Sequence, residues 1–435
     1  MHVFKLKSEM INLIEELRWR GLLQDMIPGT EEQLNKEMTV GYVGFDPTAD
    51  SLHIGNLVPI ILLMHLQKAG HKPIALVGGA TGRVGDPSGK STERNMLPIE
   101  QIQHNLESQK KQLQKFLNFD TSLKNHAEIL NNYDWLKDYT FLDFIRDVGK
   151  FITVNYMLSK DSVQNRLENG MSFTEFSYQL IQGYDFYYLN QNHQVKLQMG
   201  GSDQWGNIVT GTELIRKKSG NEAFALTAPL VKKADGSKFG KSESGNVWLD
   251  KNKTSVYKFY QFWLNTSDED AEKYISIFTF LSKNEIEELI KSHRESPHLR
   301  VLQKTLAKEV CTMVHSKEEY EYAVQTSLIL FGNDTANELK KLSESELLEI
   351  MDGVPTFSYD LSKIKTGVDI VSFLSETKIF ESKAKAREMT GNGGVSLNKQ
   401  KMTDLNYLIK ESDVMHDKYI LVQKGKKNYH LVILQ

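Results

Sequence analysis

Four stretches of this sequence pair residue types that do polar chemistry with spacings a fold can exploit: His53-Ile54-Gly55-Asn56, the glycine-rich run from Gly78 to Lys90, the segment from Tyr178 to Asp185, and Lys238-Phe239-Gly240-Lys241-Ser242. His53 and Asn56 stand three apart at a predicted helix opening, so both side chains and the free N–H groups of the first turn face one way. Such an end attracts phosphate, because aligned peptide dipoles and unpaired amides both favour negative charge. The same two residues also serve as plain helix caps. The run Gly78 to Ser91 ends in Gly89-Lys90-Ser91 but is not a P-loop. Asp86, Pro87 and Ser88 alone separate Gly85 from Gly89, one residue too few, and Pro87 removes an amide donor. So many glycines still allow close backbone approach to a ligand, with a tight turn as the other reading. Tyr178, Gln182 and Asp185 recur at i, i+4 and i+7 and share one helical face. A phenol, an amide and a carboxylate suit an ammonium and one hydroxyl of a small ligand. The plainer alternative is an amphipathic helix with a solvated face, backed by Phe176, Leu180, Ile181, Tyr184 and Tyr187. Lys238 and Lys241 lie in a stretch too rich in glycine for a stable helix, which predicts a mobile loop bearing a polyphosphate clamp or a solvated basic patch.

These stretches need elements to hold them. Tyr42-Val43-Gly44-Phe45 reads as a strand, Asp46 to Ser51 as a turn, Ile60 to Leu66 as helix with Pro59 in its tolerant first turn, and Ile74-Ala75-Leu76-Val77 as a second strand ending in Gly78-Gly79. This βαβ start predicts an α/β fold with a parallel sheet covered by helices. Val195 to Met199 followed by Gly200-Gly201 repeats the pattern of a strand ending in glycines, and ligands of open α/β sheets bind at such carboxyl ends. From Ser255 onward helical periodicity takes over, as in Val301, Leu302, Leu306, Val310 and Met313, which predicts an all-helical domain. The stretch from Asp334 to Leu361, with mixed charge and Gly353-Val354-Pro355, reads as a tether. Beyond it Val368 to Leu374 and Ser382 to Met389 read as short helices before a hairpin around Gly391-Asn392-Gly393-Gly394.

The chain has 435 residues, more than one hydrophobic core usually supports, and its 40% hydrophobic and 25% charged content excludes disordered and fibrous classes. The single cysteine, Cys311, excludes an intrachain disulfide and reads as a small buried apolar residue. The interrupted N-terminus and the lack of a roughly 20-residue apolar run predict a cytoplasmic protein with no membrane segment. Net charge is −3, but Thr366 to Gln435 carries 11 Lys/Arg against 8 Asp/Glu, a local +3 against −6 elsewhere. That polarity is compatible with an RNA-contacting appendix and equally with an ordinary surface.

In order and combination, the motifs resemble those of bacterial tyrosyl-tRNA synthetases. The resemblance rests on Tyr42-Val43-Gly44-Phe45-Asp46-Pro47-Thr48-Ala49-Asp50-Ser51-Leu52-His53-Ile54-Gly55-Asn56, Gly85-Asp86-Pro87-Ser88-Gly89, Gly200-Gly201-Ser202-Asp203-Gln204-Trp205-Gly206-Asn207 and the Lys238 to Ser242 loop. It continues more loosely into a C-terminal segment similar to an RNA-binding module of a small-subunit ribosomal protein. The resemblance implies a Rossmann-like catalytic domain with a dimer-interface insertion over 1–230, a lysine loop and helical anticodon-side domain over 231–333, a linker over 334–365, and a small α+β RNA-binding module over 366–435. By the same resemblance Tyr42 and Asp185 hydrogen-bond the phenol of L-tyrosine, Tyr178, Gln182 and Asp86 hold its ammonium, and Gln204 lies near its carboxylate. Thr48, His53 and Asn56 meet the ATP phosphates, Gly201 and Asp203 the ribose, and Gly44 and Asp46 belong to the same ATP site. Lys90, Arg94, Lys238 and Lys241 close on the leaving pyrophosphate. The implied partners are tRNA(Tyr) and a second copy of the chain; no cofactor is tightly bound, and Mg²⁺ accompanies ATP without a protein ligand cage. Lys383, Lys385 and Arg387 are candidates for contacts with the RNA backbone.

Two positions depart from the family's usual signatures. Asn56 stands where the first normally ends in histidine; an amide still donates a hydrogen bond but carries no charge. Phe239-Gly240 replaces the more frequent Met-Ser of the second, a form common in bacterial tyrosine enzymes. The implied chemistry is attack of the tyrosine carboxylate on the α-phosphorus of ATP, then transfer to the terminal ribose of the tRNA. The first step needs no base, so catalysis rests on positioning and on donors aimed at developing negative charge. Rejection of phenylalanine by roughly 10⁵-fold without an editing domain is established behaviour of this family. Tryptophanyl-tRNA synthetase is the nearest alternative, with a catalytically degenerate RNA-binding relative and another adenylate-forming enzyme of this fold further off.

Overall fold

Short apolar runs bracketed by turn residues build the sheet that carries the site. In a computed structural model, described here for residues 11–88, 96–161, 163–164, 170–237, 239–242, 245–331, 339, 342–351, 354–425 and 428–435, the first such run is the buried strand Val40–Phe45. Numbered along the chain, the strands are β1 (Asp25–Met26), β2 (Val40–Phe45), β3 (Lys72–Val77), β4 (Glu128–Asn131), β5 (Val195–Gly201) and β6 (Phe224–Ala228). They lie in the order β1-β6-β5-β2-β3-β4, parallel throughout except for β1 against β6. The predicted βαβ unit is β2, the helix Leu57–Lys68 and β3. Pro73 is tolerated because it pairs with Gly41 before β4 begins its register at Ile74. The helix is apolar on nearly all sides, as a layer between sheet and outer helices must be, and Pro59 sits in its first turn.

The chain packs as two units, residues 1–254 with 261–316, and residues 255–260 with 317–435. The helices Asp268–Phe278, Lys283–Glu295 and Val301–Val314 belong with the Rossmann-like sheet in the first unit. On the last of them Leu302, Leu306 and Val310 are buried, joined by Gln303, Ala307, Cys311 and Val314, while Val301 and Met313 are only partly covered. Cys311 is fully buried, and burial pushes its thiol well above the usual range. Arg20 closes this unit from the N-terminal side. It is 3% exposed and donates to the carbonyls of Ser276, Thr279 and Leu281 at 3.0, 2.8 and 2.7 Å, and to Glu16 at 2.7 Å. Arg20→Met is expected to cost about 3 kcal/mol, because buried carbonyls at a helix end lose a charged donor and Glu16 loses its counter-ion. Urea denaturation followed by tryptophan fluorescence checks it.

After β6 in the chain comes the short hairpin of β7 (Lys241–Ser242) and β8 (Gly245–Asn246), within the first unit. The second unit holds β9 (Thr356–Tyr359), β10 (Val368–Asp369), β11 (Val395–Leu397), β12 (Gln400–Met402), β13 (Leu408–Ile409), β14 (Tyr419–Lys424) and β15 (Asn428–Leu434). Five form a sheet in the order β12-β11-β14-β15-β9, and β10 pairs with β13. Two expectations change here. Val368-Asp369 is a strand, and the helix spans Ile370–Glu376, capped by the Asp369 side chain. The stretch read as a tether is, in its described part, built into the unit: β9 pairs in parallel with β15, and Leu339, Leu342, Leu347, Ile350 and Met351 pack with Leu421 and Leu431. Burial of these apolar side chains outweighs the linker-like composition around them. Asp334 to Glu338, Lys340, Lys341, Asp352 and Gly353 lie outside the described residues. Among the described residues no helix is long and apolar enough to cross a membrane.

Candidate active site

The strand order reverses between β2 and β5, so their carboxyl ends open a crevice, the usual ligand position in an open α/β sheet. The cavity there is about 1150 Å³ and reaches from Tyr42 to Trp248. Every candidate for tyrosine or ATP whose side chain is described lines it, and Lys241 lies in β7. Lys90, Arg94 and Lys238 lie outside the described residues.

At the deep end Asp185 is 1% exposed and accepts hydrogen bonds from Asn132 Nδ2 at 2.9 Å and Trp135 Nε1 at 2.8 Å. Burial pushes its carboxyl up to about 7, against the lowering effect of those two bonds, with the nearby Asp46 charge adding to the rise. Tyr42, held by β2 between Ile74 of β3 and Gln198 of β5, is 1% exposed, and its hydroxyl has no hydrogen-bond partner among the described residues. Burial, and then the Asp185 charge, raise this phenol well above its ordinary value, so it stays a neutral donor. An orphaned hydroxyl and a buried carboxylate facing one cavity call for a ligand group that both donates and accepts, as a hydroxyl does.

The helix Phe173–His193, capped by Ser172, carries Tyr178, Gln182 and Asp185 on one face as the spacing predicts, but that face is the pocket wall and not a solvated one. Tyr178 donates to Asp46 Oδ2 at 3.0 Å, and Thr81 donates to Asp46 Oδ1 at 2.7 Å. Asn132 reaches Thr81 Oγ1 at 3.0 Å, which ties Asp46 and Asp185 into one buried network. Gly78 is required here: a Cβ would collide with Asp46 Oδ1 and Thr81 Oγ1. Beside it Gln204 donates to Asp86 Oδ2 at 2.7 Å, and Asn207 reaches Gln182 Oε1 at 3.0 Å. Asp86, Gln182 and Gln204 thus converge although more than a hundred residues separate the first from the last.

At the open end Asn56 Oδ1 accepts from the His53 amide at 3.0 Å, and His53 Nδ1 accepts from the Gly55 amide at 3.0 Å. The capping reading of these two residues is therefore met by their geometry. With Nδ1 accepting, the neutral imidazole carries its proton on Nε2. Asp46, Thr48 and Ala49 sit in a turn whose carbonyls are held by the helix Ile99–Leu113: Asn105 donates to Pro47 O at 3.0 Å and Gln109 to Ala49 O at 3.0 Å. Gly201 and Asp203 lie where β5 passes into the helix Trp205–Ser219. Asn132, Trp135, Asn207 and the two amides of the helix Ile99–Leu113 escaped the reading of the sequence; only Asn207 stood within a recognisable motif. Among the described residues no group of His, Cys, Asp and Glu is placed to hold a metal ion.

Residues 34–332 match the family of tRNA synthetases class I (W and Y), and residues 346–432 match the tyrosine–tRNA ligase SYY-like C-terminal domain. The tyrosine–tRNA ligase of Porphyromonas gingivalis is 59% identical over 98% of this chain and 100% of its own length, and that of Bacteroides fragilis is 59% identical over 97% and 100%. A crystal structure of a C-terminally truncated Aspergillus nidulans mitochondrial tyrosyl-tRNA synthetase superposes with a TM-score of 0.66 at 31% identity, covering 74% of this chain and 95% of that one. With a donor-acceptor pair for a hydroxyl at the base of its crevice, and with relatives of this similarity along nearly its whole length, the chain belongs to the class I tRNA synthetases of tryptophan and tyrosine, and within them to the tyrosine–tRNA ligases.

Proposed function

We propose a division of labour by which this site ligates L-tyrosine to tRNA(Tyr) at the expense of ATP. The observation that carries it is the buried pair of Tyr42, a neutral donor, and Asp185, an acceptor already oriented by Asn132 and Trp135. The tyrosine phenol donates to Asp185 and accepts from Tyr42, which tryptophan's indole, a donor only, cannot do. Asp86, Tyr178 and Gln182 receive the ammonium, and Gln204 lies toward the carboxylate. A carboxylate oxygen forms a bond to the α-phosphorus as the bond to the β-phosphate bridging oxygen breaks, and its electrons leave on pyrophosphate. Thr48, His53 and Asn56, with Lys90, Arg94, Lys238 and Lys241, offset the charge that accumulates there. Gly44, Asp46, Gly201 and Asp203 hold the nucleoside part of ATP, which enters with its Mg²⁺. A ribose hydroxyl of the tRNA end then attacks the activated carbonyl, loses its proton, and AMP departs. Pyrophosphate exchange with tyrosine and with tryptophan tests the assignment; exchange supported by tryptophan and not by tyrosine overturns it.

The domain reading follows the same line: residues 1–230 catalytic, 231–333 lysine loop and anticodon-side helices, 366–435 contacting RNA, in a cytoplasmic protein. Exposed Arg387 supports the last, while Lys383 donates to Ser372 Oγ at 2.9 Å and Lys385 pairs with Glu388 at 2.9 Å, contacts weak enough at a surface to yield to phosphate. A homodimer is supported by Phe141, Leu142 and Phe173, which are 63%, 77% and 67% exposed, with the two phenylalanine rings 6.5 Å apart. Isolated exposed apolar residues are ordinary, but a cluster of this kind marks an interface. Phe173→Asp is expected to give monomers in sedimentation at micromolar protein. Unchanged dimers would place the interface elsewhere.

A further inference from the structure

We propose that Phe239 is a positioning residue whose ring, seated in an aromatic box, sets the lysine loop against the His53–Asn56 turn. This rests on the reading of Lys238 and Lys241 as donors to the leaving pyrophosphate. The sequence predicts a mobile glycine-rich loop, yet its middle residue has a built seat. The Phe239 ring stacks on Phe278 at 5.1 Å and 17°, and meets Tyr274, Trp263 and Phe262 edge-on or tilted at 5.1, 5.9 and 6.0 Å. Trp263, Tyr274 and Phe278 are at most 1% exposed, so the box is part of the core rather than a surface patch.

The helix Asp268–Phe278 that supplies two walls also grips the stem of the loop. Asp270 Oδ1 accepts from the Ala234 amide at 2.9 Å, and the Tyr274 hydroxyl points to Lys232 O at 3.4 Å. On the other side of the ring the backbone is pressed onto the first signature. Gly240, at φ +91°, would place a Cβ 3.4 Å from Ile54 Cγ1 and 3.6 Å from the Gly55 amide nitrogen. Its carbonyl accepts from Val247 N at 3.1 Å, and Val247 O accepts from Ile54 N at 3.0 Å. Phe239 is thus the point where the loop is fastened to the helical core, one residue before the point where it touches the phosphate-side turn. A lysine held by a flexible chain gains its effect only if that chain is held, since displacement of a donor by about 1 Å costs on the order of 10²-fold in rate.

The test is ATP–pyrophosphate exchange by the full chain carrying Phe239→Ala, Phe239→Met or Lys241→Ala, with tyrosine affinity measured by equilibrium dialysis. A positioning role predicts that Phe239→Ala lowers kcat by about 10²-fold with tyrosine affinity held within about threefold, because the loop acts on the transition state and not on the bound amino acid. Methionine, long and apolar, refills the box, so Phe239→Met should recover to within about fivefold of the parent. Phe239→Ala at nearly full activity beside an impaired Lys241→Ala overturns the seat and leaves the clamp reading standing. A silent Lys241→Ala overturns both. A parallel loss of tyrosine affinity in Phe239→Ala overturns positioning in favour of general destabilisation. Should Phe239→Ala fail to fold, Phe278→Leu removes the stacked wall with the ring intact; the same kcat loss supports the proposal and full activity refutes it.

Discussion

Asp185→Ala is expected to lower kcat/KM for tyrosine in ATP–pyrophosphate exchange by about 10³-fold or more, with the KM for ATP within about threefold of the parent. Among the described residues no other carboxylate accepts from both Asn132 and Trp135. Removing the Asp185 carboxylate leaves Trp135 Nε1 without its acceptor and Asn132 Nδ2 with Thr81 Oγ1 alone, and leaves Tyr42 as the remaining partner for the phenol. Buried polar groups left unpaired each cost about 1–3 kcal/mol, so the loss exceeds that of one hydrogen bond. Discrimination against phenylalanine should collapse in the same variant; retained discrimination would place selection elsewhere.

The same residue predicts a pH dependence. Burial raises its carboxyl to about 7, so it accepts the phenol proton fully only above that pH. With the ionised form as the binding form, tyrosine should bind about tenfold more weakly at pH 6 than at pH 8. Stability runs the other way. Because the folded state holds this proton more tightly than the unfolded one, the contribution of Asp185 to stability grows as pH falls from about 7 toward 3.8 and is lost as pH rises through 7. Weaker binding at pH 6 therefore does not reflect unfolding. Asp185→Asn should flatten the binding profile, which isothermal titration across pH would reveal.

His53→Ala is expected to lower the rate of adenylate formation by about 10²- to 10³-fold, the range for loss of one preorganised donor, with tyrosine affinity unchanged. The ring is oriented by the Gly55 amide on Nδ1 and lies 6.0 Å from the Trp248 ring, which leaves the proton of the neutral imidazole on Nε2. Asn56 has two tasks: its oxygen caps the His53 amide, and its Nδ2 is left to donate. Asn56→Ala loses both. Asn56→His keeps both, since Nδ1 can accept the cap and Nε2 can donate, and should stay within about threefold of the parent. Quench-flow measurement of adenylate formation separates these outcomes, and an Asn56→His enzyme as slow as Asn56→Ala would show that the amide itself is required.

Much of the framework was legible because it is local. Alternation of apolar runs with Gly, Pro and Asp marks β2, the helix Leu57–Lys68 and β3, and the i, i+4, i+7 spacing of Tyr178, Gln182 and Asp185 puts them on one face whatever that face meets. The stretch 334–365 was misread for the opposite reason. Its four-residue strand β9 is stable only through parallel pairing with β15, about 75 residues later, and no local pattern announces a partner so distant. The aromatic box around Phe239 was likewise invisible, since Phe262, Trp263, Tyr274 and Phe278 stand more than twenty positions further along the chain and no local spacing joins them to Phe239.

By itself the sequence determined the globular multidomain class, the parallel α/β start, the family resemblance and the residue types able to handle phosphate, ammonium and phenol. Tertiary structure alone decided that Asp185 is buried and held by Asn132 and Trp135, that the face of its helix is a pocket wall, and that the Phe239 ring sits among buried aromatic rings. The difference is physical: residue type and short-range spacing survive in one dimension, whereas burial, shifted proton affinity and the pairing of groups more than fifty positions apart exist only once the chain excludes water around them.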